Sequence, residues 1–132
     1  MRSGLLAAIT TATSTLTQFT ISSELPWSQN AEALFRKNMK KIYVDATEMT
    51  QEPLIDLLNA DPIQQDIYIT RAYVCVDAKN PPSQLDSLIT LIQTAKSNTG
   101  LNSFDDECDY TREIEEDRIT YTFEFRSTVA TT

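Results

Sequence analysis

The chain has 132 residues and a mass of 14.9 kDa, with 41% hydrophobic residues, 23% charged residues and a formal net charge of −8. This length predicts a single domain, residues 1–132, that buries a core without a metal or disulfide. The sequence has no histidine and only two glycines, which excludes histidine-dependent catalysis and metal sites, P-loops and dinucleotide fingerprints. We therefore expect neither an enzyme nor a bound cofactor.

Residues 1–23 predict an amphipathic N-terminal helix, because their apolar residues recur at helical spacing. These residues are Leu5, Leu6, Ile9, Ala12, Leu16 and Phe19. Threonines crowd the outer face and are poor helix formers, so an extended conformation of the Thr-rich half is the alternative. Serine and threonine interrupt the segment too often for a signal peptide, and no run reaches the roughly 18 apolar residues of a membrane span.

Residues 24–132 predict an α+β core that begins with a loop at Pro26 and a short strand at residues 42–45. Pro53 is typical of the first turn of a helix, and this helix has a buried side. That side comprises Leu54, Ile55, Leu57 and Leu58. Residues 67–76 are apolar on both alternating faces, which predicts the central strand of a sheet, covered on both sides.

A third predicted helix follows Pro82, with Ser83 as its N-cap, and stops before Gly100. Its apolar face comprises Leu85, Leu88, Ile89, Ile92 and Ala95. Residues 107–114 and 118–128 then predict an antiparallel terminal hairpin, joined by residues 115–117, with one solvated face. The fold class is therefore α+β: a mostly antiparallel sheet of about four strands, with two to three helices packed mainly on one face.

The acidic residues cluster in this hairpin, since residues 105–118 carry a net charge of −6. The cluster comprises Asp105, Asp106, Glu107, Asp109, Glu113, Glu115, Glu116 and Asp117. Four of them match positions of a calcium-loop template, but Tyr110 occupies the position that requires glycine. We interpret the cluster as a solvated or pore-facing acidic surface, with specific metal binding and paired-carboxylate hydrolysis as alternatives.

One short basic cluster, Arg36, Lys37, Lys40 and Lys41, precedes the first strand. Because the chain is acidic overall, we interpret this cluster as a solvated flank or a contact for an acidic patch on a neighbouring subunit, and not as a nucleic-acid site. Trp27 is a candidate core or lid residue, or an interface anchor. Cys75 and Cys108 are expected to be reduced, small hydrophobic residues; a disulfide or a reactive thiol is the alternative.

Five segments resemble the tail terminator, or tail-completion, proteins of long-tailed bacteriophages (siphophages), in the same order along the chain. They are ELPW (24–27), ALFRKNMKKIYVD (33–45), EPLID (52–56), VCVDAKNPPSQLDSLI (74–89) and ECDYTREIEEDRITYTFEFR (107–126). The resemblance implies a structural virion protein that forms a ring, generally six-fold. Such a ring caps the tail tube, ends its polymerisation and presents the surface onto which the filled head docks.

The resemblance also implies partners: further copies of the chain, the tail tube protein and a head-completion or neck protein, with no membrane. Assembly would take place in the host cytoplasm, and the genome would pass nearby without specific binding, repelled by the acidic surface. The alternatives are a head-completion or stopper protein and, in a different class, a small acidic adaptor that mimics DNA.

Overall fold

The structure is a computed structural model and describes residues 2–23, 25, 39–53, 64–95 and 109–131. These residues form an α+β fold in which two helices accompany one mixed, mostly antiparallel sheet of six strands. The helices are α1 (Arg2–Ala12) and α2 (Leu85–Ala95). The strands are β1 (Thr20–Ile21), β2 (Lys41–Val44), β3 (Glu48–Pro53), β4 (Gln64–Asp77), β5 (Asp109–Glu115) and β6 (Arg118–Thr131).

The predicted α+β class and the mostly antiparallel sheet are confirmed, but the predicted number of about four strands is wrong. The sequence pattern predicts neither β1 nor β3. β1 has only two residues, and β3 is polar, so neither carries the apolar run or alternation that identifies a strand. Their pairing with neighbouring strands decides their conformation.

The strand order is β1-β2-β4-β6-β5. β3 is outside this order and pairs with β4. β4 and β6 pair along their full length, from Gln64 opposite Thr131 to Asp77 opposite Arg118. β1 runs parallel to β2, and the other pairs are antiparallel. The prediction that residues 67–76 form a central strand is therefore confirmed, but both described helices cover the same face of it, so the predicted cover on both sides is not observed.

The hydrophobic core lies between the helices and one face of the sheet. Leu5 and Ile9 of α1 and Leu88 and Ile92 of α2 are fully buried there. The sheet contributes Ile42, Val44, Ala72, Val74, Val76, Tyr121, Phe123 and Phe125. The two helices therefore pack on the same face, as the sequence predicts. Neither described helix is long and apolar enough to cross a membrane.

The N-terminal helix is shorter than predicted, because α1 ends at Ala12 and a turn follows at residues 13–15. Beyond the turn, the backbone N–H groups of Thr20 and Ser22 donate to carbonyl oxygens at Lys40 and Ile42 at 3.1 and 2.8 Å. Pairing with β2 therefore replaces helical hydrogen bonds in a segment of poor helix formers. Leu16 and Phe19 still pack against the core without being helical.

β2 and β3 pair successively with the same edge of β4, and one extra residue separates them. Val44 lies opposite Ala72, and Glu48 lies opposite Ile69. Three residues (45–47) between β2 and β3 are therefore matched by only two residues (70–71) of β4. This bulge reverses the alternation of side chains between the two faces. The reversal places Glu48 on the face away from the helices.

The prediction that Pro53 opens a helix is wrong, because Pro53 is the last residue of β3 and lies opposite Gln64. Proline is tolerated at the edge of a sheet, where its nitrogen needs no hydrogen-bond acceptor. The apolar residues predicted for that helix lie outside the described residues. They are Leu54, Ile55, Leu57 and Leu58.

Two glutamines fasten the start of α2 to the segment after α1. The Gln84 side-chain oxygen accepts from the backbone N–H groups of Thr17 and Gln18 at 3.1 and 3.0 Å. In return, the Gln18 side-chain oxygen accepts from the Gln84 backbone N–H at 2.9 Å. The prediction that Ser83 is the N-cap is wrong, because the helix begins at Leu85 and the Ser83 hydroxyl instead accepts from the Gln18 amide.

The variant Gln84→Ala is expected to lower the free energy of unfolding by about 1–2 kcal/mol, because two backbone donors lose their acceptor. Gln84→Glu keeps an acceptor oxygen at the favourable, positive end of the helix and should stay within about 0.5 kcal/mol of the wild type. Urea denaturation measures both variants. Equal stability of the alanine and glutamate variants would contradict a hydrogen-bonding role for Gln84.

Candidate functional site

The predicted acidic hairpin is present, and its turn is tighter than predicted. Glu115 is the last residue of β5 and pairs with Arg118, so only Glu116 and Asp117 form the turn. The backbone N–H of Ala78 donates to the Asp117 carbonyl oxygen at 3.0 Å, which ties the turn to the end of β4. Residues 110–117 are all exposed, so this acidic segment faces solvent along its length.

The register sorts the side chains of β5 onto two faces, because consecutive side chains in a strand point to opposite sides. Tyr110, Arg112 and Ile114 lie opposite Phe123, Tyr121 and Ile119, on the side that carries the helices. Thr111, Glu113 and Glu115 lie on the other side. The carboxylates of Glu113 and Glu115 therefore share one face of the sheet, as the alternation in the sequence suggests.

The carboxylate of Glu115 is largely compensated by Arg118, which is buried. Arg118 Nε and Nη2 both donate to Glu115 Oε2, at 3.0 and 2.6 Å. Two donors on one carboxylate oxygen form a charge-assisted contact that holds the two strand ends together. Among the predicted acidic residues whose side chains the structure describes, Glu113, Glu116 and Asp117 therefore contribute most to the charge of this surface.

The acidic surface continues across the sheet through residues that the sequence analysis did not single out. Glu124 occupies the position opposite Asp109, and Arg71 lies beside it on β4. Arg71 contacts Glu124 at 3.4 Å and Glu48 at 3.0 Å. The hydrogen bond to Glu48 raises the pKa of Arg71 above its usual value. Arg71 therefore neutralises part of this face.

No spacing in the sequence connects these three residues, because they come from β3, β4 and β6. Only the register of the sheet brings Glu48, Arg71 and Glu124 together. The strict alternation of β6 places Glu124 on the solvated face, and this is the one signal that could have found it.

The remaining predicted acidic residues, Asp105, Asp106 and Glu107, lie outside the described residues, and of Asp109 only the backbone is described. Residues 109–115 form a regular strand. In this part of the calcium-loop template the predicted strand is therefore confirmed, and the backbone is not a coiled loop. Within the ranges that the structure describes, no three carboxylate or cysteine side chains are grouped to hold a metal ion.

Lys40 and Lys41 are the described part of the basic cluster; Arg36, Lys37 and Trp27 lie outside the described residues. Lys40 has a φ of 74°, a left-handed conformation, and its backbone N–H donates to the Cys75 carbonyl oxygen at 2.9 Å. Lys41 begins β2, and its Nζ lies 5.9 Å from the centre of the Tyr43 ring. In the strand order, β1 and β2 lie at one side of the sheet and β5 at the other. Two strands, β4 and β6, therefore separate Lys41 on β2 from Glu113 on β5.

Cys75 is a free, fully buried thiol beside Tyr43 and Tyr73, on the face away from the helices. The Thr120 hydroxyl donates to its Sγ at 3.8 Å. Burial raises the pKa of the Cys75 thiol, which disfavours the nucleophilic thiolate. Its surroundings match the expected small hydrophobic residue. Cys108 lies outside the described residues.

A groove of about 500 Å³ opens between α2 and the turn after α1. It is lined by Thr15, Leu16, Asp86, Ser87, Thr90 and Leu91. This lining offers three hydroxyl groups and one carboxylate, without the cation or second carboxylate that acid–base chemistry would use. Within the described part of the chain, the acidic hairpin is therefore the candidate site considered further. No protein-family model and no curated protein matches the chain.

Proposed function

We propose that the chain is a non-enzymatic structural virion protein: the ring-forming tail terminator, or tail-completion protein, of a long-tailed bacteriophage. In this role, copies of the chain form a ring, six-fold by resemblance, that caps the tail tube, ends polymerisation and offers the surface on which the head docks. The subunit requires no cofactor, assembles in the host cytoplasm and ends in the virion.

One observation carries the proposal: a single sheet carries opposite charges at its opposite sides. A closed ring is built head to tail, so each subunit needs two different surfaces that complement one another. Lys40 and Lys41 lie at the β2 side, while Glu113 lies on β5 at the other side and Glu116 and Asp117 form the turn after β5. This separation suits a head-to-tail contact, in which the basic side of one subunit meets the acidic side of the next.

The acidic hairpin has a second use in such a ring. A channel that transmits DNA must not hold it, and exposed carboxylates repel phosphates. The turn residues Glu116 and Asp117 are exposed at one end of the sheet, and Glu113 is exposed on the nearby face of β5. We propose that this end faces the genome path, and that Lys40 and Lys41 contact a neighbouring subunit or the head-side neck protein.

Electron microscopy of the purified chain, alone and mixed with tail tubes, tests the proposal. The expected result is closed rings at high protein concentration and an added density at one end of the tubes. A chain that sediments as a monomer at high concentration and leaves both tube ends bare would contradict it. Attachment to filled heads instead of empty tails would identify the head-completion or stopper protein.

The exposed carboxylates of β5 also favour a second candidate, an acidic adaptor that mimics DNA. Such a protein binds a basic, nucleic-acid-binding partner through the same surface, and added salt weakens that contact. A pull-down from host lysate at low and high salt separates the two functions. Salt-sensitive capture of a nucleic-acid-binding protein supports the mimic, and its absence favours the ring.

A further inference from the structure

Lys40 has a backbone conformation that glycine adopts more easily. Its φ is 74°, in the left-handed region, where a Cβ atom lies too close to the following carbonyl oxygen. Its N–H donates to the Cys75 carbonyl oxygen at 2.9 Å, and its own carbonyl oxygen accepts from the Thr20 N–H at 3.1 Å. Because β4 and β1 bind these two backbone groups, the strain cannot relax without breaking a contact between strands. Glycine would keep both hydrogen bonds and remove the strain.

The Lys40 side chain makes no contact that offsets this strain within the described part of the subunit. The residue is exposed, and no described residue forms a hydrogen bond or an ion pair with its ammonium group. Lys41 differs, because it is half-buried and its Nζ lies 5.9 Å from the centre of the Tyr43 ring. Strained residues cluster at functional positions. The Lys40 side chain is therefore a candidate for a contact outside the subunit.

The acidic turn lies at the same end of the sheet as Lys40. Lys40 binds Cys75 near the end of β4, and the Asp117 carbonyl oxygen accepts from the N–H of Ala78, just after β4. β2 lies on one side of β4 and β6 on the other. Glu116 and Asp117 are both exposed. Two copies side by side therefore need little shift along the strands to bring Lys40 of one copy to the turn of the next.

We propose that Lys40 determines the specificity of the contact between copies of the chain, and that its ammonium group pairs with the carboxylates of Glu116 and Asp117 on the next copy. The chain itself supplies this complementary surface, so a second copy is the occupant that the described residues support. The inference rests on the proposed function, because this contact joins neighbours in the ring. A lysine that strains the subunit then stabilises the assembly, while Lys41 stays with Tyr43 in its own subunit.

The first test compares the full-length wild-type chain with Lys40→Gly and Lys41→Gln, which remove one positive charge each from neighbouring positions. Lys40→Gly should raise the urea midpoint of unfolding, because the strain is relieved, and weaken self-association in sedimentation about tenfold. Lys41→Gln should weaken self-association by less than about threefold. Lys40→Arg keeps the charge and should also stay within about threefold of the wild type. A lower midpoint for Lys40→Gly, or equal losses of association in the glycine and glutamine variants, would overturn the proposal.

A charge exchange identifies the partner surface. Lys40→Glu alone and Glu116→Lys alone should each weaken self-association about tenfold or more, because like charges then face each other across the contact. Mixing the two variants lets each contact pair opposite charges again, with copies alternating, and should restore association to within about threefold of the wild type. Variants that do not recover when mixed would overturn the proposal, and so would recovery in either variant alone.

The wild-type chain separates this inference from the proposed function. Wild-type rings that Lys40→Gly leaves intact would overturn the Lys40 contact, and the proposed function would stand on its own test. A wild-type chain that remains monomeric at high concentration would contradict the proposed function and the Lys40 contact together.

Discussion

Replacing Phe123 with alanine is expected to lower the free energy of unfolding by about 3–5 kcal/mol, a large part of the roughly 5–15 kcal/mol of a typical domain. Phe123 is fully buried at the middle of β6, between Ala72 of β4 and Tyr110 of β5 in the register. Its ring also supports Tyr110, with centroids 5.7 Å apart. The substitution removes the apolar contact and leaves a cavity that neighbouring side chains fill only partly.

The neighbouring residue provides a matched control, because Thr122 lies on the opposite, half-exposed face of the same strand. Thr122→Ala should cost less than about 1 kcal/mol. Urea denaturation followed by circular dichroism measures both variants at one temperature. If Phe123→Ala and Thr122→Ala had similar small effects, Phe123 would not occupy the core position that the register gives it.

Reversing the charge of the hairpin is expected to leave the fold intact and impair virion function. Glu113→Lys combined with Glu116→Lys changes two exposed residues, each with an expected effect on stability within about 0.5 kcal/mol. Under the proposed function, the DNA path then attracts phosphates, and the yield of infectious phage should fall by about tenfold or more. Complementation of a phage that lacks the gene, scored by plaque titre and DNA ejection, measures this effect.

The structure decides which glutamates to change. Glu115 is left in place because its carboxylate binds Arg118 at 2.6 Å, and its loss would disturb the strand ends as well as the charge. Glu113→Asp with Glu116→Asp keeps both charges and serves as the control, with normal titre expected. Phage carrying the lysine variant that assemble and eject DNA normally would show that the acidic surface does not face the genome.

The elements that the sequence predicts well are those whose burial repeats with a local period. In β6, Tyr121, Phe123 and Phe125 alternate with half-exposed residues, and the structure buries all three. In α2, Leu88, Ile92 and Ala95 recur at helical spacing and are buried. One buried face generates each pattern, so the pattern alone identifies the element.

The elements that the sequence predicts poorly are those decided by a distant partner. Leu16 and Phe19 continue the helical spacing of α1, but the helix ends at Ala12. The backbone N–H groups of Thr20 and Ser22 instead donate to the carbonyl oxygens of Lys40, just before β2, and of Ile42 in β2. Pro53 stands at the start of an apolar run, where proline is typical of the first turn of a helix. In the structure it is instead the last residue of β3, which pairs with β4. Local propensity is weak in both segments, so long-range pairing prevails.

The sequence by itself determined the α+β class, the central strand β4 and a C-terminal hairpin that concentrates the negative charge. Only the tertiary structure decided how that charge is arranged. It pairs Glu115 with Arg118, joins Glu48 and Glu124 through Arg71, and leaves one side of β5 open among the described strands. The physical reason is that composition and period depend on neighbouring residues, whereas charge compensation and an open edge depend on strand register, which joins residues far apart in the chain.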